Sequence, residues 1–214
     1  MSPSKLNMVH LHSLCSSWMH QDKASLVELF RQNQARVDYI HRQASNSTAH
    51  LNPIGNSLFA KVPATIDYDI NPYGYIVNVG LGTPIKFFTF MIDTGSDLTW
   101  TQCVPCVHCH EQKNPINDPT QSTTFKNIPC NSNYCTQLTQ FGCSSTNNCL
   151  YEVGYNDKSK TNGSLIKDIM TLSNDVIYDF VFGCGNNNTG GYGRTDGLLA
   201  LGRGPLSIIN QKPE

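Results

Sequence analysis

One carboxylate stands out as a group that could do chemistry. The run Ile92-Asp93-Thr94-Gly95-Ser96-Asp97-Leu98-Thr99-Trp100 follows directly on the apolar, aromatic stretch Phe87-Phe88-Thr89-Phe90-Met91. Asp93 therefore emerges at a strand end, where small residues let the backbone fold tightly around its side chain. Backbone N–H groups and hydroxyls close to a carboxylate hold it ionised and fix its direction, and a group that activates water needs both. The bare tripeptide Asp-Thr-Gly also describes an ordinary turn. The preceding hydrophobic pair, the following Ser96 and the Trp100 beyond make the pattern much more specific.

The second chemical signal is sulfur. Eight of the nine cysteines fall between Cys103 and Cys184. Cys103-x2-Cys106-x2-Cys109, flanked by His108 and His110, has the spacing of a zinc or iron–sulfur site. A further ligand in such a run would fall near position 113, which is Lys113, while Cys130, Cys135, Cys143, Cys149 and Cys184 are spread over β-like sequence. Disulfides in an oxidising compartment fit better, with Cys15 left over, and neither metal nor cofactor is expected. Three sequons, at Asn46, Asn162 and Asn187, are candidate glycosylation sites, the alternative for each being an ordinary polar loop.

The elements that must position these groups are short. Tyr75–Val79 and Phe87–Ile92, separated by Gly-Leu-Gly-Thr-Pro, read as a hairpin, and further strands are expected at 150–155, 164–172 and 179–183. Helical periodicity is scarce after residue 60. Before it, Ser25-Leu26-Val27-Glu28 is a capping-box pattern, and Leu26, Phe30, Val37 and Ile40 form one stripe, which predicts a helix over about 25–42. A Ser/Asn/Pro/Gly-rich linker follows. Residues 1–61 hold six Lys/Arg against three Asp/Glu, a net of +3, and residues 62–214 hold nine against thirteen, a net of -4. The total of -1 offers no polycation for nucleic acid, and no apolar run approaches the ~18 residues of a membrane helix. The expected division is 1–61 and 62–214, with a cysteine-rich insert over 103–149.

Taken together, the Asp93 loop, Trp100 and the cysteine-rich continuation Trp100-Thr101-Gln102-Cys103 resemble the pepsin-like aspartic proteases, most closely the plant branch that includes nepenthesin and the chloroplast-nucleoid protease type. The likeness spans about 73–207, with a fainter one between residues 5–42 and that branch's propeptide. It implies a mainly β fold, the N-terminal lobe of a bilobal acid protease preceded by a helical prosegment. It further implies that Asp93 is the first catalytic aspartate, supported by Thr94, Gly95 and Ser96. Tyr155-Asn156-Asp157-Lys158-Ser159 matches the family flap, usually Tyr-Gly-Asp-Gly-Ser, which makes Tyr155 the flap tyrosine and Trp100 its partner. Asn156 is the non-glycine residue best able to replace a glycine at positive φ, whereas Lys158 brings a bulky cation to the flap. Asp196-Gly197-Leu198-Leu199-Ala200-Leu201-Gly202 is similar to the segment beneath the catalytic loop, with Ala200 where the family has Gly. The branch pattern implies the pairs Cys103–Cys106, Cys109–Cys184, Cys130–Cys149 and Cys135–Cys143.

Members of this family use two aspartates sharing one proton across a water, and pepsin-like proteases are the standard example of such a split pair. No second Asp-Thr-Gly or Asp-Ser-Gly occurs here, so the expected partners are a polypeptide substrate and a C-terminal lobe. The alternatives are a non-catalytic relative of the xylanase-inhibitor kind that binds another enzyme, and a half-size homodimeric protease. The cysteines place the protein in the secretory pathway, extracellular or vacuolar, although 1–20 do not read as a secretory leader; the chloroplast is the alternative.

Overall fold

A computed structural model describes residues 63–71 and 74–211. The expected helix over 25–42, its linker, Cys15 and Asn46 lie outside the described residues. The described part is mainly β, as expected. β1 (Ile76–Leu81) and β2 (Lys86–Asp93) form the anticipated antiparallel hairpin, from Ile76 opposite Met91 to Leu81 opposite Lys86. Gly82 takes φ 79° in the turn, a conformation that disfavours any residue with a Cβ.

The remaining strands are β3 (Trp100–Gln102), β4 (Lys126–Asn127), β5 (Phe141–Cys143), β6 (Cys149–Gly154), β7 (Lys160–Leu172), β8 (Asp175–Thr189) and β9 (Gly197–Ala200). A single-turn helix, α1 (Asn133–Thr136), is capped by the Ser132 hydroxyl. The sheet runs β1-β2-β9-β3-β8-β7, and β7 pairs back onto β1, so these six strands close on themselves. β6 and β5 continue from the outer edge of β7, and β4 pairs with it. Closure removes the open edges that a flat sheet would expose.

β8 is much longer than expected. Its second half, Gly183-Cys184-Gly185-Asn186-Asn187-Asn188-Thr189, has little intrinsic strand preference. It is held extended from both sides, by β3 in parallel (Thr101 opposite Cys184) and by the start of β7 (Ser164 opposite Cys184). Pairing with neighbours here overrides propensity.

Alternation along the strands builds two cores. One holds Val77, Val79, Phe88, Phe90, Ile166, Phe180, Phe182 and Leu199. The other holds Trp100, Tyr151, Leu165, Val181, Tyr192, Leu198, Ala200 and Leu206. Leu165/Ile166 and Leu198/Leu199 each send successive side chains to opposite cores, as a period of two requires. The second core lies beneath the candidate site.

The cysteines form four disulfides, but not the expected ones. Cys103–Cys184, Cys106–Cys109, Cys130–Cys143 and Cys135–Cys149 are the pairs, with Cα separations of 5.3, 6.0, 5.4 and 5.8 Å. All lie in the range that a disulfide spans. The parallel β3–β8 register places Cys103 beside Cys184, the Cys103 N–H donating to the Gly185 carbonyl at 2.8 Å, so Cys106 is left to Cys109. Each group of four cysteines is as anticipated, and the partners within each group are exchanged. With these residues bonded to one another, their thiolates do not form the metal site that the Cys103–Cys109 spacing suggested.

The two sequons in the described part lie in strands, not loops. Asn162 on β7 stands directly opposite Asn187 on β8, and both are partly buried.

Candidate active site

Asp93 is the last residue of β2, in register with Ala200 on the parallel strand β9. Its carboxylate is held on both oxygens: Oδ1 accepts the Gly95 N–H at 2.9 Å, and Oδ2 accepts the Ser96 hydroxyl. Ser96 is buried, Asp93 partly so, and Thr94 is exposed. A carboxylate gripped in this way has one direction in which to act on a water.

The loop 93–99 is clamped from below by the segment leaving β9. Four N–H groups donate to it: Ala200 to Thr99 Oγ1 at 3.0 Å, Leu201 to the Asp93 carbonyl at 2.8 Å, Gly202 to the Ser96 carbonyl at 2.8 Å and Gly204 to Asp97 Oδ1 at 2.7 Å. Gly202 has no room for a side chain, because a Cβ there would run into Asp97 Oδ1 and the Ser96 carbonyl. Ala200, at the position the family gives to Gly, is fully buried with Trp100, Leu198 and Leu206.

Another carboxylate, Asp196, is entirely buried and entirely occupied. It accepts the Thr89 N–H at 2.6 Å, the Asn114 N–H at 3.0 Å and the Asn114 side-chain amide at 2.6 Å. Its bonds tie β2, the approach to β9 and the cysteine-rich insert together, and they leave no face for substrate.

Tyr155 begins the turn of the β6–β7 hairpin. The turn is closed by the Tyr155 N–H to Ser159 carbonyl bond at 2.9 Å and the Lys158 N–H to Tyr155 carbonyl bond at 3.0 Å. Asp157 Oδ1 accepts both the N–H and the hydroxyl of Ser159. The residue at positive φ is Lys158, at 71°, and not Asn156, because the turn reverses one step before Ser159.

Trp100 Nε1 donates to the Tyr155 hydroxyl at 2.8 Å. Tyr192 packs edge-on against both, its ring centroid 4.9 Å from Trp100 and 6.1 Å from Tyr155. Burial, above all, pushes the Tyr155 hydroxyl well above the ordinary tyrosine range, with Tyr192 and the negative charge of Asp93 adding to it. The Tyr192 hydroxyl is likewise pushed up to about 12 by burial. Both hydroxyls are therefore neutral at acid and neutral pH.

Two contributors escape sequence reasoning. Tyr192 sits in Gly190-Gly191-Tyr192-Gly193, and a lone aromatic in a glycine run was the available signal. His110, read as a possible ligand, instead lies 5.4 Å from Tyr192 ring to ring, with Nε2 bonded to the Thr195 carbonyl at 2.7 Å. Burial lowers its pKa, against the raising effects of that carbonyl and of Asp196.

A closed β lobe with a gripped aspartate at one strand end and a tyrosine hairpin tied to it through Trp100 is the N-terminal lobe architecture of pepsin-like enzymes. Residues 75–214 match the family model described as "Xylanase inhibitor N-terminal". The chain is 41% identical over 210 residues to the aspartyl protease AED1 of Arabidopsis thaliana, across 97% of this chain and 44% of that protein. It is 45% identical over 138 residues to the aspartic proteinase nepenthesin-1 of Nepenthes gracilis, across 64% of this chain and 31% of that protein. The chain belongs to the plant pepsin-like aspartic protease family and corresponds to its N-terminal part. It spans less than half the length of these relatives.

Proposed function

We propose that this chain supplies one catalytic half of a pepsin-type aspartic endopeptidase. Asp93, oriented by Gly95 and Ser96, takes a proton from the attacking water. A second aspartate, carried by a C-terminal lobe, is the protonated partner that hydrogen-bonds the scissile carbonyl. Tyr155, neutral and bonded to Trp100, lies on the flap that covers the polypeptide substrate. Residues 1–61 serve as a basic prosegment lying against the acidic body. Acidification protonates the body's carboxylates while the five histidines before residue 61 gain charge, and the prosegment is released. The four disulfides fit a secreted or vacuolar glycoprotein.

The observation that carries this reading is the two-point grip on the Asp93 carboxylate, a fixed direction that a purely structural lobe does not need. The description of the matching family model favours a second reading, a pepsin-fold protein that binds another enzyme. One assay separates them. This chain, joined to the C-terminal remainder of the aspartyl protease AED1, is tested at acid pH for pepstatin-sensitive peptide hydrolysis and, in parallel, for inhibition of xylanases. Hydrolysis supports the protease; xylanase inhibition without hydrolysis supports the binder.

A further inference from the structure

Three of the four disulfides hold separate parts of the chain together. Cys103–Cys184 ties the end of β3 to β8, Cys130–Cys143 reaches β5, and Cys135–Cys149 ties α1 to β6. Cys106–Cys109 closes a loop with a sequence separation of only 3, so it restrains the unfolded chain least. The loop also has its own backbone anchors on β8. The N–H groups of Val107 and His108 donate to the Asn186 carbonyl at 2.7 and 3.2 Å, and the Asn188 N–H donates to the His108 carbonyl at 2.7 Å. Breaking this disulfide therefore leaves the loop in place. Both cysteines are only partly buried, and Val107 and His108 between them are exposed, so a thiol can reach the bond.

The two sulfurs are not equivalent. Cys106 Sγ lies 3.5 Å from the Asn186 carbonyl oxygen, an acceptor that suits a thiol S–H and opposes a thiolate. Cys109 Sγ lies 3.8 Å from the side-chain amide of Asn188, a buried donor that stabilises negative charge on sulfur. In thiol–disulfide exchange, the sulfur better able to carry charge is the better leaving group. We infer that Cys106–Cys109 is an exchange site for a dithiol reductant, with Cys106 the sulfur attacked and Cys109 the leaving thiolate. One thiolate of the dithiol bonds to Cys106 Sγ as the Cys106–Cys109 bond breaks, its electron pair leaving on Cys109. The second thiolate then displaces Cys106 and closes the reductant's own disulfide. Two electrons pass to the protein, and the two protons given up by the dithiol are taken by Cys106 and Cys109. The exchange is independent of peptide hydrolysis.

The test uses the 214-residue chain with Cys15 alkylated beforehand. The chain is equilibrated with stepped dithiothreitol at neutral pH, alkylated and mapped by peptide mass. Cys106 and Cys109 should open at about a tenth of the concentration that opens any other pair, with the far-ultraviolet circular dichroism unchanged. A short pulse of glutathione, quenched with iodoacetamide, should leave glutathione on Cys106 and the alkyl group on Cys109. The Cys106→Ser/Cys109→Ser variant should keep the native circular dichroism and take up no glutathione in the same pulse. Opening of another pair before or together with this one, loss of the fold when this pair opens, or glutathione on Cys109 would overturn the inference.

Discussion

The indole N–H of Trp100, a fully buried side chain, has its hydrogen-bond partner in the hydroxyl of Tyr155, 55 positions away on a hairpin turn. The bond joins the strand that follows the aspartate loop to the β6–β7 hairpin, and the edge of Tyr192 completes the cluster. Tyr155→Phe keeps the ring and removes the acceptor, leaving a buried donor unsatisfied. That should cost about 1–3 kcal/mol in urea unfolding and alter the emission of Trp100. Unchanged stability would mean that the hairpin does not rest on Trp100.

Much of this arrangement was readable from local pattern. An apolar aromatic run followed by small polar residues placed Asp93 at a strand end, and alternation gave the β1–β2 and β7 strands. The misses share one cause. β3 and β9 hold three and four residues and exist through their neighbours on both sides. Tyr192 and His110 are brought to the site by chain crossings that local sequence does not encode. The positive-φ position fell on Lys158 because turn geometry, and not residue preference, chose it.

Disulfide partners are the sharpest case, since register decides them and spacing does not. Peptide mapping without reductant should recover Cys103–Cys184, Cys106–Cys109, Cys130–Cys143 and Cys135–Cys149. Removing the buried Cys135–Cys149 pair as a double alanine variant should cost about 2–4 kcal/mol. Recovery of Cys103–Cys106 linked peptides would contradict the β3–β8 register.

His110 gives the lobe an acid-sensitive contact. Burial lowers its pKa, the chief cause, so the fold holds it neutral where the unfolded chain would already bind a proton. The unfolded state then binds more protons, and stability rises with pH. The contribution is complete above the ordinary histidine value of about 6.5 and is lost as pH falls through the lower folded value. Tyr192, Thr195, Asp196 and Gln102 surround or bond the residue. In His110→Asn, unfolding free energy should decline less below pH 6.5 than in the native protein. Parallel curves would exclude this role.

The facing sequons make a prediction about glycans. Asn162 and Asn187 are cross-strand partners, and directly opposed residues stand only about 4.5–5.5 Å apart. Two glycans cannot leave the same spot of one face without parting β7 from β8. Enzymatic deglycosylation of secreted protein in heavy-oxygen water should therefore label at most one of the two in any molecule. Double labelling would contradict the strand pairing.

The central claim is that the Asp93 carboxylate is one half of a water-activating pair completed outside this chain. The direct measurement is acid-range peptide hydrolysis by this chain joined to the C-terminal remainder of the aspartyl protease AED1, by the same fusion carrying Asp93→Asn and by the 214-residue chain alone. The account predicts pepstatin-sensitive turnover by the first, a kcat lowered about 10²- to 10⁴-fold in the second with the fold unchanged, and none by the third. Full activity in Asp93→Asn, or pepstatin-sensitive turnover by the isolated chain, would contradict it.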